Sequence, residues 1–135
     1  MADELKNPTR LYFVYNLGGA GVALAAPVGT ASTQTIAVDN DSPFRIIKIT
    51  GIAVATAGFA DVSRQVTVQI SDTDQNATWF RNPMPCFHVM GTAGLPNILP
   101  EPRLLGKRCN ITIVLQNNSA AAAIVWLEFH GYKLR

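Results

Sequence analysis

Cys109-Asn-Ile-Thr-Ile-Val-Leu-Gln-Asn117 alternates without interruption, which sets Cys109, Ile111, Ile113 and Leu115 to point inward. The run from Ala123 to Lys133 repeats the period. There Val125, Leu127 and Phe129 share one side, while Trp126, Glu128, His130 and Tyr132 share the other. Upstream, Val66, Val68 and Ile70 oppose Gln65, Thr67 and Gln69. A period of two marks a half-buried strand, because successive side chains leave opposite faces. Phe44 to Ala55 is a longer apolar run rich in β-branched residues and reads as a central strand. Thr33 to Val38 reads as a short strand, and Trp79-Phe80 as the start of another.

The punctuation between these runs is turn chemistry. Asp39-Asn-Asp-Ser-Pro43, Asp72-Thr-Asp-Gln-Asn76 and Asn117-Asn-Ser119 all carry side chains that bond their own backbone. A hairpin across Asn117 to Ala122 is therefore expected to join the last two strands. Asn82 to Pro102 holds five prolines and is expected to be a long irregular loop. No stretch has a convincing helical period. The fold class that follows is all-β, an antiparallel β-sandwich.

The first 32 residues read differently. Met1 to Arg10 is polar, and Leu11-Tyr-Phe-Val-Tyr15 is β-prone and aromatic. Gly18 to Ser32 is small-residue chain without a period. The expected organisation is an extended N-terminal arm over 1–32 and a sandwich domain over 33–135. Leu11 to Val38 carries no charge, but its glycines and Pro27 suit a docked arm better than a membrane-spanning helix. MADELKNPTR lacks the apolar stretch of a secretion signal, so a cytoplasmic origin is expected.

Composition narrows the function. Charged residues make up 15% of the 135-residue chain, against roughly 25% in soluble domains. Such a deficit points to surface covered by copies of the chain or by a partner. The net charge is +2, with only Lys107 and Arg108 adjacent among the scattered basic residues from Arg45 onward, so no nucleic-acid patch is expected. Cys86 and Cys109 form no metal-binding spacing and read as small hydrophobes.

Catalytic patterns are missing from the sequence. There is no GxSxG elbow, no GxGxxG and no HExxH. Asp39/Asp41 and Asp72/Asp74 have the Asp-x-Asp spacing of calcium loops without the later Gly and Glu, so they read as turns. His88 and His130 are far apart, and nothing brings Glu101 beside Glu128 as a glycosidase pair. No enzyme activity, cofactor or metal is expected. Contact is the better theme: Leu11, Tyr12, Phe13, Tyr15 and Leu17 on the arm, and Trp79, Phe80 and Arg81 beyond it, have the composition of interface hot spots.

Six short motifs in order add a resemblance: Val66-Thr-Val-Gln-Ile-Ser-Asp72, Asn82-Pro-Met-Pro85, Gly91-Thr92, Ile98-Leu-Pro-Glu-Pro102, Ile111-Thr-Ile-Val-Leu-Gln-Asn117 and Glu128-Phe-His-Gly-Tyr-Lys-Leu134. Over about the last seventy residues the chain resembles the cement, or staple, proteins of short-tailed bacteriophages of the epsilon15-like and Bordetella phage groups. The resemblance implies a jelly-roll-like sandwich bound outside the capsid. It implies homodimers that bridge neighbouring capsomers of the major capsid protein in the virion, without catalysis. It transfers no site residue. The alternative expectation is a tail or fibre module that binds a host glycan by stacking on Trp79, Trp126 and Tyr132.

Overall fold

The computed structural model of the chain describes residues 10–17, 21–25, 30–73, 77–90 and 97–134. The alternating runs become the inner strands. β9 (Asn110–Asn117) buries Ile111, Ile113 and Leu115, and β10 (Ala123–Leu134) buries Val125, Leu127 and Phe129. β4 (Phe44–Ala55) and β5 (Val66–Asp72) supply Phe44, Ile46, Ile49, Val66, Val68 and Ile70 to the same interior. Fully burying each such side chain contributes about 1.5–3 kcal/mol.

The remaining strands are β1 (Arg10–Asn16), β2 (Val22–Leu24), β3 (Thr30–Ala37), β6 (Ala77–Thr78), β7 (Met84–Pro85) and β8 (Asn97–Leu105). A single helical turn, α1 (Cys86–Val89), follows β7. One sheet runs β1-β10-β4-β8, with β2 also on β10, and the other runs β3-β9-β5-β6, with β7 also on β5. We call these sheets A and B. All pairings are antiparallel. The pairs β1–β10, β3–β9, β4–β8 and β5–β6 are those of one long hairpin rolled into two sheets, which is the jelly-roll order.

This arrangement differs from three expectations. The segment expected to be an arm belongs to the sandwich over its described part. Arg10 to Asn16 pairs continuously with Leu134 to Glu128, and Tyr15, Leu17, Val22 and Leu24 are buried in the core. The reason is that β10 needs a neighbour on its open side, and the aromatic run supplies both the ladder and apolar cover. Residues 1–9 lie outside the described part.

The last two strands form no hairpin. β9 pairs with β3 and β5, while β10 pairs with β1, β2 and β4, so residues 118–122 arch from one sheet to the other. Asn117, fully buried, holds that arch. Its Oδ1 accepts from the Ser119 N–H and hydroxyl at 2.9 and 2.6 Å, and its Nδ2 donates to the Ala121 carbonyl at 2.8 Å. Both strands bury one face completely, one in each sheet, so they line the shared core from opposite sides.

The proline-rich segment is also more regular than expected, because it contains β7, α1 and β8. Pro100 and Pro102 fit there because β8 is an edge strand, where missing N–H groups cost least.

Candidate functional site

The outer face of sheet A gathers the chemistry. The register sets Tyr12 opposite Tyr132 and Arg45, Val14 opposite His130 and Lys48, and Asn16 opposite Glu128 and Thr50. Further along, Trp126 faces Ile52, and Ile124 faces Val54. Ile98 and Leu104 of β8 extend the face beside Lys48 and Arg45, and both are exposed. A bulge between Ile46 and Lys48 preserves this set, since without it Lys48 and every later side chain of β4 would change sides. Gly131 sits at that bulge, where a Cβ would overlap the carbonyl oxygen of Arg45.

A hydrogen-bonded chain crosses the three strands of this face. The Tyr12 hydroxyl lies 2.6 Å from His130 Nδ1, and His130 Nε2 lies 2.7 Å from Thr50 Oγ1. Thr50 in turn donates to Glu128 Oε2 at 3.1 Å. With the ring proton on Nε2 every donor finds one acceptor: Tyr12 donates to Nδ1, Nε2–H to Thr50, and Thr50 to Glu128. Burial, and then the charge of Lys48, hold His130 below its ordinary pKa, which favours that neutral ring. Burial pushes the Glu128 carboxyl up, partly offset by the Thr50 bond. The chain fixes the rotamers of Tyr12, His130 and Glu128.

Sheet B presents a different surface. Its outward rows are Ala31–Gln116–Thr67, Thr33–Val114–Gln69 and Thr35–Thr112–Ser71, with no charged residue among them. Between the sheets, beside β8, lies a cleft of about 350 Å³ lined by Ile49, Trp79, Phe80, Met84, Leu99 and Arg103, among others. Asp72, whose side chain is fully buried, accepts from Trp79 Nε1 at 2.7 Å and pairs with Arg103 at 3.4 Å. The Arg103 guanidinium covers the Trp79 ring at 4.5 Å.

The predicted contact residues divide accordingly. Leu11 and Tyr12 are exposed, Phe13 is half-buried, and Tyr15 and Leu17 are core. Trp79 and Phe80 are half-buried against the core, and Arg81 is exposed. Trp79, Trp126 and Tyr132 do not meet on one surface: Trp79 belongs to the cleft, the other two to the face of sheet A. The Asp39/Asp41 turn holds the buried Lys133, whose Nζ donates to Asp39 at 2.6 Å, lies 3.6 Å from Asp41 and sits 4.1 Å over the Phe13 ring. Asp74 and the side chain of Glu101 lie outside the described residues. Both cysteines are free and buried, and burial pushes the Cys86 thiol up to about 12.

Among the described residues no group of three or more His, Cys, Asp or Glu could hold a metal ion, and no helix is long and apolar enough to cross a membrane. Sequence reading placed His130 and Glu128 on one face, but Thr50 and Tyr12 come from strands whose register no local pattern encodes.

No family model matches the chain, and no curated protein matches it. Among solved structures the chain is similar to the infectious bursal disease virus VP2 subviral particle, with 11% identity, a TM-score of 0.37, and coverage of 91% of this chain and 32% of that one. It is also similar to the infectious bursal disease virus Gx strain, at 12% identity and a TM-score of 0.35 over 92% of this chain and 32% of that one. A third is the exo-beta-1,3-galactanase of Phanerochaete chrysosporium with galactose, at 17% identity and a TM-score of 0.32 over 92% and 28%. The chain spans about a third of the length of these structures.

Proposed function

We propose that this protein is a non-catalytic decoration protein of a bacteriophage head, which binds the outside of the major capsid protein lattice and stabilises it. The observation that carries the reading is the face of sheet A. It sets Tyr12, Tyr132, Trp126 and Arg45 beside the exposed Ile98 and Leu104, around polar groups already bonded to one another. Aromatic and Arg side chains are the residues that dominate binding energy at protein interfaces. Such a protein acts by mass action. Because it binds the assembled shell alone, it shifts the equilibrium toward that shell, and two-copy attachment to neighbouring capsomers adds avidity. Of the N-terminal residues expected from the sequence to make contact, Tyr12 belongs to this face, while Leu11, opposite Lys133, is exposed on the other side of β1.

Co-sedimentation with shells of the major capsid protein tests the reading. Saturable binding at a fixed ratio, with shells that then survive higher temperature, is expected. Tyr12→Ala combined with Arg45→Glu should weaken binding about 10- to 1000-fold while leaving the fold intact. Binding to no shell form would overturn the proposal and turn attention to tail components and glycans.

A further inference from the structure

β3 is an edge strand of unusual openness. Its eight residues pair with β9 in unbroken register from Thr30 to Ala37, and among the described residues no strand pairs with its other side. The other edges are interrupted. β8 carries Pro100 and Pro102 and a register break, β6 and β7 have two residues each, and the β1 edge is divided from β2 between Asn16 and Val22. Proteins normally guard a long edge with charge, proline or a bulge, because its free N–H and C=O groups recruit other strands. β3, with the sequence Thr-Ala-Ser-Thr-Gln-Thr-Ile-Ala, has none of these.

We propose that the β3 edge is the site where a second copy of this chain pairs antiparallel, so that sheet B runs continuously through a two-fold dimer. This deepens the two-copy attachment in the reading above by naming its interface. The occupant follows from self-complementarity. In an antiparallel pair, the residues that exchange hydrogen bonds have their N–H and C=O on the same side of each strand, so the two must share parity. A two-fold axis then passes midway between one residue and its own copy. Centred on Gln34, it sets Thr33 opposite Thr35 and Ala31 opposite Ala37; centred on Thr33, it sets that residue opposite its own copy. The side chains on the outer face here, Ala31, Thr33, Thr35 and Ala37, are exposed and small or β-branched, and cross-strand Thr pairs are favourable. The stretch 11–38 and the neighbouring rows of sheet B hold no charge, so self-pairing brings no like charges together. A two-fold pairing also closes, whereas heterologous edge pairing would propagate.

Light scattering on the size-fractionated full chain tests this. The unaltered protein should be a dimer at about 100 μM, in the range where moderate affinities of micromolar order saturate. Thr33→Lys with Thr35→Lys should give a folded monomer, its dimer constant weakened at least about 100-fold by like charges across the axis. Thr33→Glu with Thr35→Glu should do the same, and mixing the two variants should restore a one-to-one dimer. An unaltered protein that stays monomeric, or a doubly Lys-substituted protein that stays dimeric, overturns the proposal. Shell binding of the same samples scores the capsid reading separately: dimers that ignore shells would leave the β3 interface standing and sink the docking reading.

Discussion

Gly131 and Glu128 lie three residues apart on β10 and show how single positions shape the face of sheet A. Gly131 permits the close approach of the Arg45 backbone at the bulge. Gly131→Ala should therefore destabilise the fold by about 2–4 kcal/mol, because backbone rather than a yielding side chain must move; urea unfolding measures it. Glu128 acts through its proton. Burial raises its folded pKa above the unfolded value, so the folded state binds that proton more tightly. Its stabilising contribution is full below the unfolded pKa and is lost as pH rises through the folded one. Glu128→Gln keeps an acceptor for Thr50 without the charge, so its melting temperature should exceed that of the unaltered protein at pH 7, the gap closing near pH 4. His130 has the opposite sign: its lowered pKa gives stability that is full above pH 6.5 and falls as pH drops through the folded value. The Cys86 thiol, fully buried and pushed up to about 12, should not react with a disulfide reagent at pH 8 until the protein unfolds.

The arch from β9 to β10 places two consecutive strands in different sheets. The buried Asn117 side chain makes three hydrogen bonds there, so Asn117→Ala leaves the buried Ser119 N–H without its acceptor, while the Ser119 hydroxyl keeps the Ala121 carbonyl at 2.9 Å. A loss of about 1–3 kcal/mol is expected, visible as a lower midpoint in thermal unfolding followed by circular dichroism. The alternation of β9 and β10 was readable residue by residue, and both inward sets are core. Their hairpin was expected because the turn residues are good ones. A turn cluster reports that the chain reverses, while the choice between pairing in one sheet and crossing to the other depends on which strands already flank each.

Every pairing that builds the two sheets, apart from those of β5 with β6 and β7, joins strands distant in sequence, so the molecule folds as one cooperative unit. Removing residues 1–32 should therefore unfold or aggregate the protein instead of trimming an arm. The deletion strips β1 and β2 from β10, takes Tyr15, Leu17, Val22 and Leu24 from the core, and shortens β3. Loss of the near-ultraviolet signal and of a sharp melting transition is the expected result; a truncated chain that melts cooperatively near the original temperature would contradict this account.

The identities and inward faces of β4, β5, β9 and β10 and the all-β class were set by local patterning and turn residues, because a strand buries one face at a period that the chain itself carries. The composition likewise carried the shortage of charge. The roles of β1 and β3 came only with the tertiary structure. Their β-prone residues were legible, but nothing local tells which strand each flanks, and what holds them is the edge of β10 and of β9. The chain of Tyr12, His130, Thr50 and Glu128 arose the same way, since cross-strand register, fixed by the bulge at Ile46 to Lys48, brings together residues from three separate parts of the sequence.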